Sequence, residues 1–181
     1  MTEELRLAYY VAIKEGASYL GGLLMTNSMG IPTDFRYTEP ITPTKLQSVL
    51  YGKALEPHLK GEVIQKALLK EIKTLPDMIF VQASDLVVDF AVDANCPVLS
   101  VQRTQDPPLK AVGTSIRVSS RELLIQLGEG GHPLRVIFPH GTKEEDQEAV
   151  LAKIIDAGHQ IDLVEPMERA LEALRSLIQH Q

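Results

Sequence analysis

A chain of 181 residues, 44% hydrophobic and 23% charged, can bury roughly 70% of its unfolded surface, so it needs neither a disulfide nor a structural metal to fold. Its net charge of −6 excludes a surface that is basic throughout and makes nucleic acid an unlikely main ligand, and its single cysteine, Cys96, excludes an internal disulfide. No apolar run reaches the ~18 residues of a membrane span, and "MTEELRLAYY" has no basic start before a long apolar stretch, so the expectation is a cytoplasmic chain without membrane association.

In chain order, "LAYYVAIKEG" reads as a first strand or a short helix. "ASYLGGLLMT" reads as a strand inside a sheet, because Tyr19, Leu23 and Met25 alternate with Leu20, Leu24 and Thr26, leaving both faces largely apolar. Gly21 and Gly22 would weaken a free strand, so they signal close approach of another backbone, or a bulge. "NSMG" is a turn with Gly30 suited to positive φ, and "IPTDFRYT" is a half-exposed strand with Pro32 near its start or on an edge. Thr42 is then an N-cap and Pro43 a first helical residue, with Leu46, Val49 and Leu50 at helical spacing and Gly52 as the stop. A second helix runs from about Pro57 to Thr74, with Leu59, Val63, Ala67, Leu68 and Ile72 on one face.

"DMIFVQ" is a buried strand, "ASDLVVDFAVDANC" a helix capped by Ser84 or Asp85, and "PVLSVQ" a second buried strand, together a compact parallel crossover. A Pro107-Pro108 loop follows, then a strand over 114–119; residues 121–127 stay open between strand and helix. "PLRVIFP" is a strand, the next helix starts from Thr142 with Glu145 completing a capping box and stops at Gly158, "HQIDLVEP" is a strand, and "MERALEALRSLIQ" is an amphipathic helix. The sum is a single α/β domain over 1–181 with a mixed sheet: an N-terminal antiparallel hairpin plus helix pair (1–75) joined to parallel strand–helix–strand crossovers (76–181).

Charge is uneven along the chain. Residues 36–73 hold seven basic and four acidic residues, whereas 143–172 hold three basic and nine acidic ones. The basic stretch suits an acidic partner, with Arg36, Tyr37, Lys45, Tyr51, Lys60, Lys66 and Lys70 as its candidate binding residues. A different site could form at the strand tips, where Ser84, Asp85, His140, Thr142 and Glu165 would surround a small anion, with His140 as the acid–base group and Glu165 or Asp85 as its partner. Caps and turns account for the same side chains without a ligand. Asp85, Asp89 and Asp93 share one helix face and could hold a divalent ion, but such a stripe is equally a wetted face. No pair among the five histidines has zinc-site spacing, "GEGGH" is not a phosphate-binding glycine loop, no serine sits in a nucleophile elbow, and 5% aromatics make a poor base-stacking platform. No catalytic residue, metal or cofactor is therefore assigned.

"GIPTDFRYTEPITPTKLQSVLYGKALEPHLKGEVIQKALL", with the later "DLVEPMERALEAL", resembles an uncharacterised bacterial protein family with no assigned activity. The resemblance covers about a third of the chain and carries no catalytic residue across. "GGLLMTNSMGIPTDFRY" is also similar to the hairpin of roadblock and longin domains, scaffolds that dimerise or dock, although the later strand–helix units depart from that fold. The leading expectation is a non-enzymatic binding or scaffold subunit of a larger cytosolic bacterial assembly, with a protein partner or a second copy of itself. The alternative is a small α/β enzyme or nucleotide-binding protein with its site at the strand C-terminal tips.

Overall fold

A computed structural model describes residues 4–87, 96–158 and 162–179. Eight strands form one mixed sheet in the order β3-β2-β1-β4-β5-β8-β7-β6. They are β1 (Leu7–Glu15), β2 (Ser18–Thr26), β3 (Pro32–Tyr37), β4 (Met78–Phe80), β5 (Val98–Arg103), β6 (Ser115–Arg117), β7 (Glu122–Ile125) and β8 (Leu134–Ile137). β1, β4 and β5 run parallel; β2 pairs antiparallel with β1, and β3 pairs antiparallel with β2 on its outer side. The expected α/β class with a mixed sheet is what forms, and residues 121–127 resolve as the strand β7.

β1 is the axis of the sheet. Leu7 through Ala12 are all buried, so "LAYYVAIKEG" is a strand. Its alternate side chains enter two cores. Leu7, Tyr9 and Val11 join Leu24, Phe80 and Leu99 beneath α4 (Glu144–Gly158) and α5 (Glu165–Gln179). Ala8, Tyr10 and Ala12 join Leu23, Met25 and Ile79 beneath the helices that follow β3. The result is helix, sheet, helix in three layers.

On that second face α1 (Lys45–Tyr51) leads into α2 (Leu55–His58), a π-helical turn (Leu59–Val63) and α3 (Ile64–Glu71), the last three winding on without a break. The π turn inserts one residue into the helical repeat. The buried positions therefore run Leu55, Leu59, Ile64, Leu68, while Val63 and Ala67, expected inside, face out. Tyr10 donates its phenolic hydrogen to the Lys60 carbonyl within this turn. Gly21 lets the helix come close, since a Cβ there would lie 2.1 Å from Ile64 Cγ2.

Other local expectations turn out differently. The cap of α1 is Thr44, whose hydroxyl accepts from Gln47 N at 3.1 Å while Gln47 Oε1 accepts from Thr44 N at 2.9 Å; Thr42 instead bonds Ser18. The Leu46, Val49 and Leu50 stripe is helical but lies in solvent, and α1 buries no residue. In the second half, β8 is antiparallel to both β5 and β7, so among the described residues the only parallel crossover in that region is β4 to β5. No strand separates α4 from α5 among the described residues: Asp162 Oδ1 accepts from Val164 N and Glu165 N at 3.0 and 3.1 Å and starts α5 at Glu165. Of the helix expected after β4, a 3-10 turn (Ala83–Val87) is present, and residues 88–95 lie outside the described residues.

Gly21→Ala should cost about 1–3 kcal/mol, because the new methyl must displace a fully buried Ile64. Gly128→Ala, with open space around its Cβ, should shift stability by less than about 0.5 kcal/mol. Urea unfolding of both variants measures the contrast.

Candidate functional site

The parallel strands β4 and β5 end side by side, and Val81 N donates to Leu99 O at 2.9 Å just past β4. The chain then turns sharply, with Asp85 N donating to Gln82 O at 2.9 Å. The first turn of α5 stands beside this rim. A cleft of about 480 Å³ opens between them, lined by Gln82 and Ser84 after β4, Gln102 and Arg103 at the end of β5, and Met167 and Glu168 of α5. It lies beyond the carboxyl ends of parallel strands, where the first-turn donors and strand-end carbonyls have no further partner strand to satisfy them.

Two carboxylates hold Arg103 in place. Its Nη2 donates to Asp162 Oδ2 at 2.8 Å, and its Nη1 to Glu168 Oε1 at 3.2 Å. Asp162 thereby caps α5 with one oxygen and anchors the end of β5 with the other. Glu165, the first residue of α5, receives Arg169 Nε at 2.9 Å, and Arg169 Nη2 reaches the Gly30 carbonyl at 2.8 Å, tying α5 to the β2–β3 turn. Beneath α5 the Tyr9 ring stacks on Phe80, 4.9 Å between centroids. Burial raises the Tyr9 phenol far above its ordinary range, so it stays neutral.

The five residues expected at the strand tips separate into three places. Ser84 lines the cleft, and Glu165 stands at the start of α5 in its pair with Arg169. Asp85 belongs to the opposite face of the sheet, near Lys60 and Glu56. His140 and Thr142 follow β8, whose antiparallel run carries them past the amino end of β5, away from Ser84. There His140 bonds Arg121, and the Thr142 hydroxyl donates to the Pro139 carbonyl at 2.9 Å rather than capping α4. Among the described residues His140 meets neither Asp85 nor Glu165, so the expected acid–base pairing does not form.

Asp85 is buried, and its Oδ2 has no hydrogen-bond partner among the described residues. Burial raises its carboxyl above the ordinary aspartate range; the Lys60 ammonium pulls the other way and Glu56 adds to the rise. Lys60 itself pairs with Glu56 at 2.8 Å, which holds the Glu56 carboxyl below its usual range. Of the Asp85, Asp89 and Asp93 stripe only Asp85 lies within the described residues. Cys96 is half-buried, and burial pushes its thiol up to about 11, which keeps it protonated and unreactive at neutral pH.

The basic residues of 36–73 occupy a different surface. Arg36 Nε donates to both oxygens of Asp34 at 3.0 and 3.1 Å, and with Tyr37 it borders a groove of about 670 Å³ between β3 and α3. Lys66 pairs with Glu62 at 3.1 Å, and Lys45 and Lys70 are exposed. Tyr51 stacks on His58 at 5.0 Å. The sequence reading missed Arg103 and Asp162. The available signal was an arginine closing the apolar run "PVLSVQR", and an Asp two and three residues before the helix N–H groups it caps.

No family model matches the chain, and no curated protein matches it in sequence. Solved structures do match its fold. Endonuclease V of Bacillus subtilis aligns over 98% of this chain and 82% of its own, with a TM-score of 0.58 at 12% identity. Endonuclease V of Ciona intestinalis, a D234N variant bound to a 23-mer DNA containing an inosine followed by a ribo-adenosine, aligns over 99% and 88%, with a TM-score of 0.57 at 12% identity. The Argonaute of Marinitoga piezophila, bound to guide RNA and target DNA, covers 96% of this chain but only 30% of its own, with a TM-score of 0.52 at 8% identity. Identities this low establish a shared fold, an endonuclease V-like one. They also correct two expectations. The non-enzymatic scaffold or complex subunit gives way, because the solved chains that share nearly the whole architecture are endonucleases. Nucleic acid, expected to be an unlikely main ligand, is what the bound neighbours hold. Hydrolysis by paired metal ions requires clustered donor side chains. Among the described residues no three His, Cys, Asp or Glu side chains gather in that way, so no step through a metal is derived for this chain. Among the described residues, no helix is long and apolar enough to cross a membrane.

Two outcomes follow from the geometry. A carboxyl whose folded-state pKa is raised binds its proton more tightly folded than unfolded, so ionising it lowers stability as pH rises through the ordinary aspartate range and above. Asp85→Asn should therefore match the wild type at acid pH and exceed it increasingly towards neutrality, read as urea midpoints across a pH series. Asp162→Ala removes the α5 cap and should cost about 1 kcal/mol by the same method.

Proposed function

We propose that the protein acts on nucleic acid and takes one nucleotide of an unstacked strand into the cleft at the carboxyl ends of β4 and β5. The observation that carries this reading is the position of that cleft within an endonuclease V-like fold: a polar hollow of about 480 Å³ over the central parallel strands. Clefts of roughly 300–1,000 Å³ suit small ligands, and a nucleotide falls within that range. Gln82, Ser84 and Gln102 supply paired donors and acceptors of the kind that read base edges. A base reaches such a hollow only from a single strand or after leaving its stack.

The charge of −6 is uneven: the acidic residues concentrate in 143–172, the stretch whose Val164, Met167 and Glu168 line the cleft, and the lysines in 36–73. With the lysines of 36–73 on a different surface from the cleft, a strand seated in it makes few phosphate contacts and shows a shallow dependence on salt. The bacterial family resembled in sequence is consistent with this proposal and adds no activity to it.

Fluorescence anisotropy with labelled single-stranded DNA and RNA, with and without inosine, tests the reading, and a gel assay in Mg²⁺ follows cleavage of the same strands. Binding should fall within the ~1–100 µM range of weakly sequence-dependent contacts. It should weaken at least about tenfold in Ser84→Trp, which fills the cleft from its exposed rim. Failure to bind or cut any strand, or binding untouched by Ser84→Trp, would overturn it.

A further inference from the structure

The charges around the cleft narrow what part of a nucleotide it can hold. Arg103 is the cation at its rim, and its guanidinium is shared between Asp162 and Glu168. A phosphate entering beside Arg103 would lie against both carboxylates, so one positive charge faces two negative ones before any ligand arrives. The first turn of α5 does not redress this, because two of the N–H groups that could face an anion there, those of Val164 and Glu165, are already given to Asp162.

The rest of the lining is uncharged. Gln82, Ser84 and Gln102 offer amide and hydroxyl groups, and Met167 offers a polarisable apolar surface against which a ring can lie. The cleft is therefore built for a polar, neutral, ring-bearing group with hydrogen-bonding edges.

We infer that the cleft receives the uncharged nucleoside portion of its ligand and keeps the phosphates outside, and that Glu168 enforces this preference. The inference rests on the nucleic-acid reading given above and adds to it the part of the nucleotide that is recognised. Glu168 acts as a specificity determinant: it occupies one arm of Arg103 and presents its own charge to any anion at the rim.

Isothermal titration of the full chain with a panel of nucleosides and their 5′-monophosphates tests this. Each nucleoside should bind about three- to tenfold tighter than its monophosphate, the discrimination a partly exposed carboxylate can supply. Glu168→Gln should narrow that ratio by raising monophosphate affinity, with nucleoside affinity held within about twofold. Glu172→Gln removes the same charge from α5 outside the cleft lining and should leave the ratio unchanged. Monophosphates binding as well as nucleosides in the wild type would overturn the inference, as would a ratio unmoved by Glu168→Gln or moved equally by Glu172→Gln. Strands that bind through the cleft while no nucleoside binds would sink this inference alone. Strands and nucleosides that all fail to bind would sink the nucleic-acid reading with it.

Discussion

The register that sets Tyr9 of β1 beside Phe80 of β4 on one side and Leu24 of β2 on the other governs the rest of this molecule. A shift by one residue would turn every β1 side chain to the opposite face, because strand side chains alternate. Here that would exchange Leu7, Tyr9 and Val11 with Ala8, Tyr10 and Ala12, two sets of different volume that fill two different cores. The small side chains Ala8 and Ala12, with Gly21 opposite Ala12 on β2, leave room on the face where Ile64 and Leu68 come down. The bulkier set, with the Tyr9–Phe80 stack, supports α5. Because β4 ends at Phe80, the chain after it turns away from the sheet and leaves the cleft between Ser84, the end of β5 and α5.

Asp162 converts that scaffold into a defined rim. One carboxylate fixes where α5 begins and where the β5 arginine lies, so helix and strand end are positioned by a single group. Arg169 holds the same helix to the β2–β3 turn through the Gly30 carbonyl. The exposed ion pairs along this helix contribute little to stability in water individually. Their effect is geometric: they set which charges face the cleft, and through it the electrostatic character of the site.

Much of the first half was legible because its signals are local. Gly30 takes φ +75° in the turn where positive φ was expected, and Gly52 takes +53° at the end of α1. The two-faced apolar pattern of β2 follows from its inner place between β1 and β3. Three features were not legible. The π turn at 59–63 moved the buried face from Val63 to Ile64, a choice made by packing on Gly21 and by the Tyr10 bond to Lys60. The helical spacing of the α1 stripe did not show that α1 would bury no residue. The antiparallel sense of β8 divided the expected strand-tip residues between two ends of the sheet, since periodicity carries no information about strand direction.

The sequence by itself determined the class of fold, the positions of most strands and helices, the turn glycines and the aliphatic character of the core, because each depends on spacing and backbone preference within a few residues. Only the tertiary structure decided which strands run parallel, which face of the 55–71 helix is buried, and that Ser84, Arg103 and Glu168 meet around one hollow while His140 does not. Those outcomes depend on pairings between segments as much as 84 positions apart, the separation of Ser84 and Glu168 in the chain, and nothing local in either segment encodes its neighbour.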